Sequence, residues 1–540
     1  MPEAPWWKRG VVYQIAVSSF ADANGDGRGD LRGIIDRLDY LNDGTDGSLG
    51  VDAVWLTPIY TSPLSDFGYD VSDYRSIDPR FGTMEDFDEL VEECHRRGIR
   101  VVMDLVLNHT SIHHPWFVES RSSRDNPRRD WYIWRDGRAP GKPPNSWVAV
   151  VEGSAWEYDD TTGQYYYHAF LPFQPDLNWR NPEVREEMFG VARFWLAKGV
   201  DGFRLDLVNC LYEDEGLRNN PPKLGPRPYL AQKHIHDLSQ PENLEVAGEL
   251  RQLVEDFGDC VLMGEVLTLT PDVCIDYLGD GTDRLHLSFY MEFVRTKWNA
   301  EAFRHSVRWL EEHVPPGGWP CYYLNNHDLK RSFTRLGGRH ARERAKVAAA
   351  MLLTLRGTPI LYYGEEIGMP SSRVPRGLLD DPVGLKFWPL RVGRDGSRTP
   401  MHWNAAENAG FSAWESWLPV DSSYRTRNVE QEAVRADSIL NWYRRLLSTR
   451  RAHPALHSGD YREIGGVPKG VFAYTRRAGS KTVAVYLNFA ARNTECPPPK
   501  APPGTTWRVL LSTHGTEDGR DLPRIQLAAH EALLLEATYS

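Results

Sequence analysis

Short apolar runs alternate with helix-patterned segments over most of this chain, and that alternation restricts the fold to repeated βα units around a parallel sheet. The runs fall at residues 11–15, 51–57, 100–107, 201–208, 260–264, 284–289, 321–325 and 358–363. Eight of them suit a closed ring, so the expected fold class is α/β, an eight-stranded parallel β/α (TIM) barrel. The intervening helices carry their own signals. Met84, Phe87, Leu90, Val91 and Cys94 recur at three- and four-residue steps, Thr83 is placed to cap the start, and Gly98 follows the end. Segments 184–197 and 341–355 read the same way, with Pro182 near the start of the first.

Two stretches break the alternation. Between His109 and the helix near Pro182 lie some seventy residues rich in Trp, Tyr, Pro, Gly and Asp, far more than a βα loop needs. They are expected to form a subdomain, 109–175, inserted after strand 3. Beyond a last long helix at about 437–451, the pattern turns to two-residue alternation at Val471–Thr475, Val483–Leu487 and Trp507–Leu510. Residues 455–540 therefore read as a C-terminal antiparallel β-sandwich domain, and the barrel occupies 1–108 and 176–454.

The charge balance removes whole classes of partner. A formal charge of -11, with no long basic run, provides no footprint for nucleic acid or an anionic membrane. The six cysteines are scattered singly, without metal-ligand spacing, as expected for free thiols in a reducing compartment. No stretch approaches membrane-spanning length without charges, and the first ten residues lack the order of a signal peptide, so a cytoplasmic location is expected.

The chemistry collects at strand ends. In a parallel barrel the carboxyl ends of the strands open into one shared mouth, and Asp206, Glu265 and Asp328 all occupy such ends. Any one of them alone is more simply an ion pair or a cap; three on separate strands call for another reading. A retaining glycosidase needs one carboxylate to attack the anomeric carbon and a protonated one to serve the leaving oxygen, about 5 to 5.5 Å away. Arg204 lies two residues before Asp206, so alternation puts both side chains on one face, where a guanidinium keeps Asp206 ionised as the nucleophile. Glu265 must instead hold its proton near neutral pH. His109 and His327 lack partners at metal-ligand spacing, which favours hydrogen bonding to a sugar hydroxyl.

With these residues in view, the chain resembles the α-amylase family, glycoside hydrolase family 13, in its oligo-1,6-glucosidase and α-glucosidase branch. The stretches ending at His109, Asp206, Glu265 and Asp328, the Gln174–Asn178 segment and Arg398-Thr399-Pro400-Met401 match it in order over essentially the whole chain. The resemblance implies that Asp206 is the nucleophile, Glu265 the general acid/base, and Asp328 the transition-state stabiliser. It implies that Arg204, His109 and His327 frame the terminal glucose, that Tyr69 and Phe170 line its pocket, and that Asp66 pairs with Arg398 to close the pocket end. Without the surrounding motifs Tyr69 and Phe170 would read as core aromatics.

Asp22-Ala23-Asn24-Gly25-Asp26-Gly27-Arg28-Gly29-Asp30 places oxygen donors at alternate positions, as the start of an EF-hand loop does. Position twelve is Gly33 rather than Glu, and the upstream segment reads as strand, so a stabilising Ca²⁺ (or Mg²⁺) site is preferred to a true EF-hand. By the same resemblance the side chains of Asp22, Asn24, Asp26 and Asp30 and the carbonyl of Arg28 hold the ion; the alternative is a metal-free turn. No organic cofactor is expected.

The expected activity is that of a retaining, exo-acting α-glucosidase working on small α-glucosides such as maltose, isomaltose, sucrose or aryl α-glucosides, through a covalent glucosyl-Asp206 intermediate with possible transglucosylation. A glucosyltransferase or a trehalose- or sucrose-converting isomerase shares the first chemical half. A non-catalytic scaffold relative is disfavoured by the three acids. Relatives carry Val after the nucleophile when they favour α-1,6 bonds and Thr or Ala when they favour α-1,4; Leu207 departs from both.

Overall fold

Eight parallel strands form one sheet in the computed structural model, which describes residues 4–267, 270–390, 392–515 and 524–539. They are β1 (Val12–Ile15), β2 (Ala53–Leu56), β3 (Arg100–Val106), β4 (Gly202–Asp206), β5 (Val261–Gly264), β6 (Leu287–Ser288), β7 (Cys321–Tyr323) and β8 (Thr358–Tyr362). All eight expected runs become strands. The hydrogen-bonded order is β6-β5-β4-β3-β2-β1-β8-β7, so the ladder runs around the ring except between β6 and β7. That gap is bridged by side chains, with the rings of Phe289 and Tyr323 5.3 Å apart.

The two-residue period of the strands sorts their side chains into two cores. Val12, Ala53, Trp55, Val102, Val261, Met263, Cys321, Tyr323 and Ile360 fill the inside of the ring, with Trp6 and Trp7 of the helix Trp6–Arg9 packed among them. The opposite parity, including Tyr13, Val54, Val101 and Leu205, packs outward with the surrounding helices. Asp104, Arg204, Asp206 and Glu265 share the inward parity of Val102, Gly202, Val261 and Met263, so the register itself aims them at the mouth. Around the ring, helix Met84–Arg96 begins with a reciprocal cap in which Thr83 Oγ1 accepts from Asp86 N–H and Asp86 Oδ2 accepts from Thr83 N–H.

The long insert after β3 carries a three-stranded antiparallel sheet of Trp134–Arg135, Gln164–Tyr167 and Trp156–Asp159. Single bridges from His109 to Asp176 and from Tyr132 to Leu177 tie its ends together. Its aromatic core of Trp147, Trp156, Tyr167 and Phe170 packs on Cys210 and Leu238 from beyond β4.

At the C-terminal end, a five-stranded antiparallel sheet is faced by the two-stranded pair Thr494–Cys496 and Ile525–Leu527, with Trp507, Val509 and Tyr486 between them. Its other face joins the core around the barrel helices. Two buried arginines complete the junction. Arg450 donates to the carbonyls of Leu353, Gly357 and Leu456, and Arg476 to those of Thr354, Leu456 and Gly459. Together they satisfy the carbonyl end of helix Ala341–Thr354. Among the described residues no helix is long and apolar enough to cross a membrane.

Candidate active site

One guanidinium organises the mouth of the barrel. Arg204, fully buried on β4, reaches sideways to Asp104 of β3, its direct register neighbour, and forward to Asp206, 2.8 Å from Nη1 to Oδ1. Its other terminal nitrogen pairs with Glu265, the residue that follows β5. Two of the expected acids thus converge on the same cation from adjacent strands. Asp104 also accepts from Trp55 Nε1 at 2.9 Å and from the Tyr69 hydroxyl at 3.1 Å, so three donors share one buried carboxylate.

Burial pushes the Asp206 carboxyl up to about 7, with Arg204 pulling the other way and the charges of Asp104 and Asp328 adding to the rise. The guanidinium therefore does not by itself hold Asp206 in the ordinary carboxylate range, because burial outweighs it and the charges of Asp104 and Asp328 oppose it. Burial also works against a charge on Asp328, but Arg394 and Arg398 face it and hold its carboxyl below the usual range. Arg398 Nη2 lies 2.8 Å from Asp328 Oδ1 and Arg394 Nη1 3.3 Å from the same atom.

The histidines are set by neutral partners. Burial takes His327 down to about 3, so its ring is uncharged. Gln14 Nε2 donates to its Nδ1 at 2.8 Å, which leaves the proton on Nε2, 2.8 Å from the Tyr69 hydroxyl and 3.4 Å from Asp328 Oδ2. The Tyr69 ring lies flat on His327, with centroids 5.3 Å apart, and its hydroxyl passes the chain on to Asp104. Burial also takes His109 down to about 4; its ring leans on Phe170 at 5.4 Å and meets Gln174 Nε2 at 3.2 Å.

The structure corrects one expected pair. Asp66 is engaged by Arg394, not by Arg398. Arg398 is turned inward, where it donates to the His327 carbonyl at 3.0 Å, pairs with Asp328 and lies over the Phe67 ring at 4.2 Å. Arg394 is left to span Asp66, Asp328 and Asp381, and Asp381 in turn caps the short helix Pro382–Phe387. Gln174 adds a further bond to Asp66, 3.0 Å from Nε2 to Oδ2.

Four residues of this network, Asp104, Gln14, Gln174 and Arg394, were not singled out for the site from the sequence. Asp104 had a signal: a lone charge inside the apolar run 101–107 must find a buried partner. Arg394 had a weaker one, since it stands one helical turn before Arg398 and offers the same reach. Leu207, next to the nucleophile candidate, sits in the left-handed backbone region at φ +43°, which glycine or asparagine adopts more readily. Its side chain packs with the Phe170 and Trp147 cluster rather than pointing to solvent.

The loop Asp22–Asp30 folds around its own acids. Asp22 accepts from Gly25 and Gly27, Asn24 from Asp26, and Asp26 from Arg28, all through backbone N–H groups. Asp30 takes the N–H groups of Ala23, Asn24 and Gly33, the last as the cap of helix Leu31–Ile35. Gly27 has φ +88°, and a Cβ there would run into the Glu415 carbonyl. The donor set is all oxygen, the chemistry a hard cation takes. Among the described residues, no three or more His, Cys, Asp or Glu side chains are drawn together into a metal-holding group.

Comparison with known proteins finds similarity over most or all of the chain. The catalytic domain of α-amylase matches residues 14–459. A probable α-glucosidase of Rhizobium meliloti (strain 1021) is 42% identical, covering 91% of this chain and 90% of its own. An oligo-1,6-glucosidase of Parageobacillus thermoglucosidasius is 40% identical over 98% of both chains. Among solved structures, an α-glucosyl transfer enzyme superposes with a TM-score of 0.92 at 39% identity, covering 99% of this chain and 100% of its own.

Proposed function

The chain belongs to the α-amylase family of glycoside hydrolases, and from that membership we propose that it is a retaining, exo-acting α-glucosidase that releases glucose from the non-reducing end of short α-glucosides. The observation that carries the reading is the single Arg204 guanidinium shared by Asp206 and Glu265, which brings two carboxyl groups to one point in a buried mouth. Asp206 attacks the anomeric carbon while Glu265 gives its proton to the departing oxygen, leaving a glucosyl ester on Asp206. Glu265 then takes a proton from water, the water oxygen bonds to the anomeric carbon, and Asp206 leaves as carboxylate. Burial raises Asp206 to about 7, and the double displacement needs the proton on Glu265 rather than on Asp206. Asp328, kept ionised by its two arginines, grips sugar hydroxyls as positive charge develops on the ring.

The Asp66–Arg394 pair, backed by Gln174, supports a pocket stopped at one end, which favours removal of one terminal sugar. His109, His327, Tyr69 and Phe170 line it. The test is hydrolysis of an aryl α-glucoside by the purified protein, followed by rates and products with maltose, isomaltose, sucrose and trehalose. Absence of glucose release from all of them defeats the proposal. Transfer to a second sugar is the alternative outcome of the same intermediate, and similarity to an α-glucosyl transfer enzyme and to the isomaltulose synthase of Protaminobacter rubrum, 32% identical with a TM-score of 0.88, favours measuring it directly.

For the loop at Asp22, we propose a structural Ca²⁺ (or Mg²⁺) held by Asp22, Asn24, Asp26, the Arg28 carbonyl and Asp30. Bound there, the ion supplies charge neutralisation for three acids that otherwise lean on backbone N–H groups. A cytoplasmic location is supported by the six cysteines, all buried and free.

A further inference from the structure

Three loops at the carboxyl end of the barrel are fastened together at Glu152. It lies in the insert after β3, and its backbone is left-handed at φ +67°, followed by Gly153 at φ +106°. A glutamate keeps that conformation where its surroundings impose it. Here they act from two sides. Lys386, on helix Pro382–Phe387 after β8, donates from its ammonium to the Glu152 carbonyl at 2.6 Å and to the Val151 carbonyl at 3.1 Å. One exposed cation thereby joins loops whose strands, β3 and β8, stand three places apart in the ring. From the segment after β4, Tyr229 N–H donates to the Glu152 carboxylate at 3.3 Å, and Arg227 Nε lies 3.7 Å from its other oxygen.

The fastened loop is tied directly to the pocket wall. Val150 N–H donates to the Ala169 carbonyl at 2.9 Å, and the next residue, Phe170, leans on His109. Val150 also packs on the aromatic cluster that receives Leu207, which follows Asp206, and Leu267, two residues beyond Glu265. With the Asp66–Arg394 pair at the terminal-sugar end, this wall borders the other side of the bond to be cut, where the leaving group departs past Glu265. Resting on the glucosidase reading above, we propose that Lys386 is a specificity-determining positioning residue: by holding the Val151 and Glu152 carbonyls it fixes the wall that meets the second sugar. Lys386 acts through that loop, not on a reacting atom. Contacts with a second sugar align the bond only against a wall that holds still, so the effect of the clasp falls on substrates that possess one.

The test compares α-glucosyl fluoride, which has no second sugar, with maltose and isomaltose, using the full chain unaltered and as Lys386→Met and Lys386→Arg. Methionine keeps an unbranched apolar stem and removes the donor; arginine supplies donors again. In Lys386→Met, kcat/KM on the fluoride should stay within about twofold, while kcat/KM on both disaccharides should fall about five- to tenfold, chiefly through KM. Lys386→Arg should recover most of that loss. Turnover of the fluoride also shows that each variant is folded. An equal fall on the fluoride and the disaccharides, unchanged disaccharide kinetics in Lys386→Met, or no recovery with arginine overturns the proposal. Failure of the glucosidase reading is a different result: the unaltered protein then releases glucose from none of the three, and the clasp falls with it.

Discussion

Asp104 and Arg204 stand opposite one another on adjacent parallel strands, and the carboxylate of the first takes one end of the guanidinium that the second extends to Asp206 and Glu265. Asp104 touches no expected reacting atom, so it is a positioning residue. Removing its charge in Asp104→Asn takes a negative neighbour from Asp206 and frees Arg204 to favour the ionised nucleophile. The acid limb of the pH profile of kcat/KM should move to lower pH, with kcat/KM itself down about 10- to 100-fold from lost alignment. An unshifted limb would show that Asp104 is merely structural.

Asp206→Asn should cost more than about 10³-fold in turnover of an aryl α-glucoside, because no nucleophile remains at the anomeric carbon. The same substitution should stabilise the protein at alkaline pH. The folded-state value of about 7 lies above that of an unfolded Asp, so the group favours the fold below the unfolded value and loses that contribution as pH rises through about 7. Asparagine keeps the shape without the buried charge. Melting curves should therefore separate in the variant's favour at pH 8 and converge near pH 4.

The two arginines that flank Asp328 should differ in their effects. Arg394→Ala strips Asp66 of its ion-pair partner and opens the pocket end, so KM for disaccharides should rise, with kcat/KM down about 10-fold or more. Arg398→Ala leaves Asp66 paired but removes support from Asp328 and the His327 carbonyl, and the loss should fall chiefly on kcat. Steady-state kinetics on maltose and isomaltose read the split, and identical changes in both variants would contradict the observed division of labour.

Chelator treatment followed by dialysis should lower the melting temperature and restore it on adding Ca²⁺ or Mg²⁺, with kcat of the folded enzyme unchanged. The double substitution Asp22→Asn/Asp26→Asn should abolish the response. Native mass spectrometry showing no ion, together with melting indifferent to either cation, removes the metal proposal.

Arg476→Ala should destabilise the chain by about 2–4 kcal/mol while leaving KM near its original value, since the carbonyls of Thr354, Leu456 and Gly459 lose buried donors far from the mouth. Thermal melting paired with a KM measurement separates this effect from catalysis.

Much of the architecture was readable before any coordinates. Strand positions follow from apolar runs bounded by turns, and parity alone places Arg204 and Asp206 on one face. The partner of Asp66 was not readable, because Arg394 and Arg398 are chemically equal and only the bend of the loop after β8 decides which reaches it. Gln14 and the role of Gln174 escaped for another reason: both act through hydrogen bonds to His327 and Asp66 across large sequence separations, so the Gln174–Asn178 motif marked a position without revealing the Asp66 partner. The raised value at Asp206 likewise depends on its burial and on the charges of Asp104 and Asp328 beside it, which only the folded neighbourhood supplies.

The missing ladder between β6 and β7 leaves the ring with a seam, and the seam falls between the strand pair leading from Glu265 and the strand leading to Asp328. Among the described residues, ring contacts such as Phe289 against Tyr323 cross that joint and no backbone ladder does. The wall between β6 and β7 is thus held by side chains where every other neighbouring pair of strands is held by a ladder, with Glu265 one strand away on one side of that joint and Asp328 beyond the strand on the other.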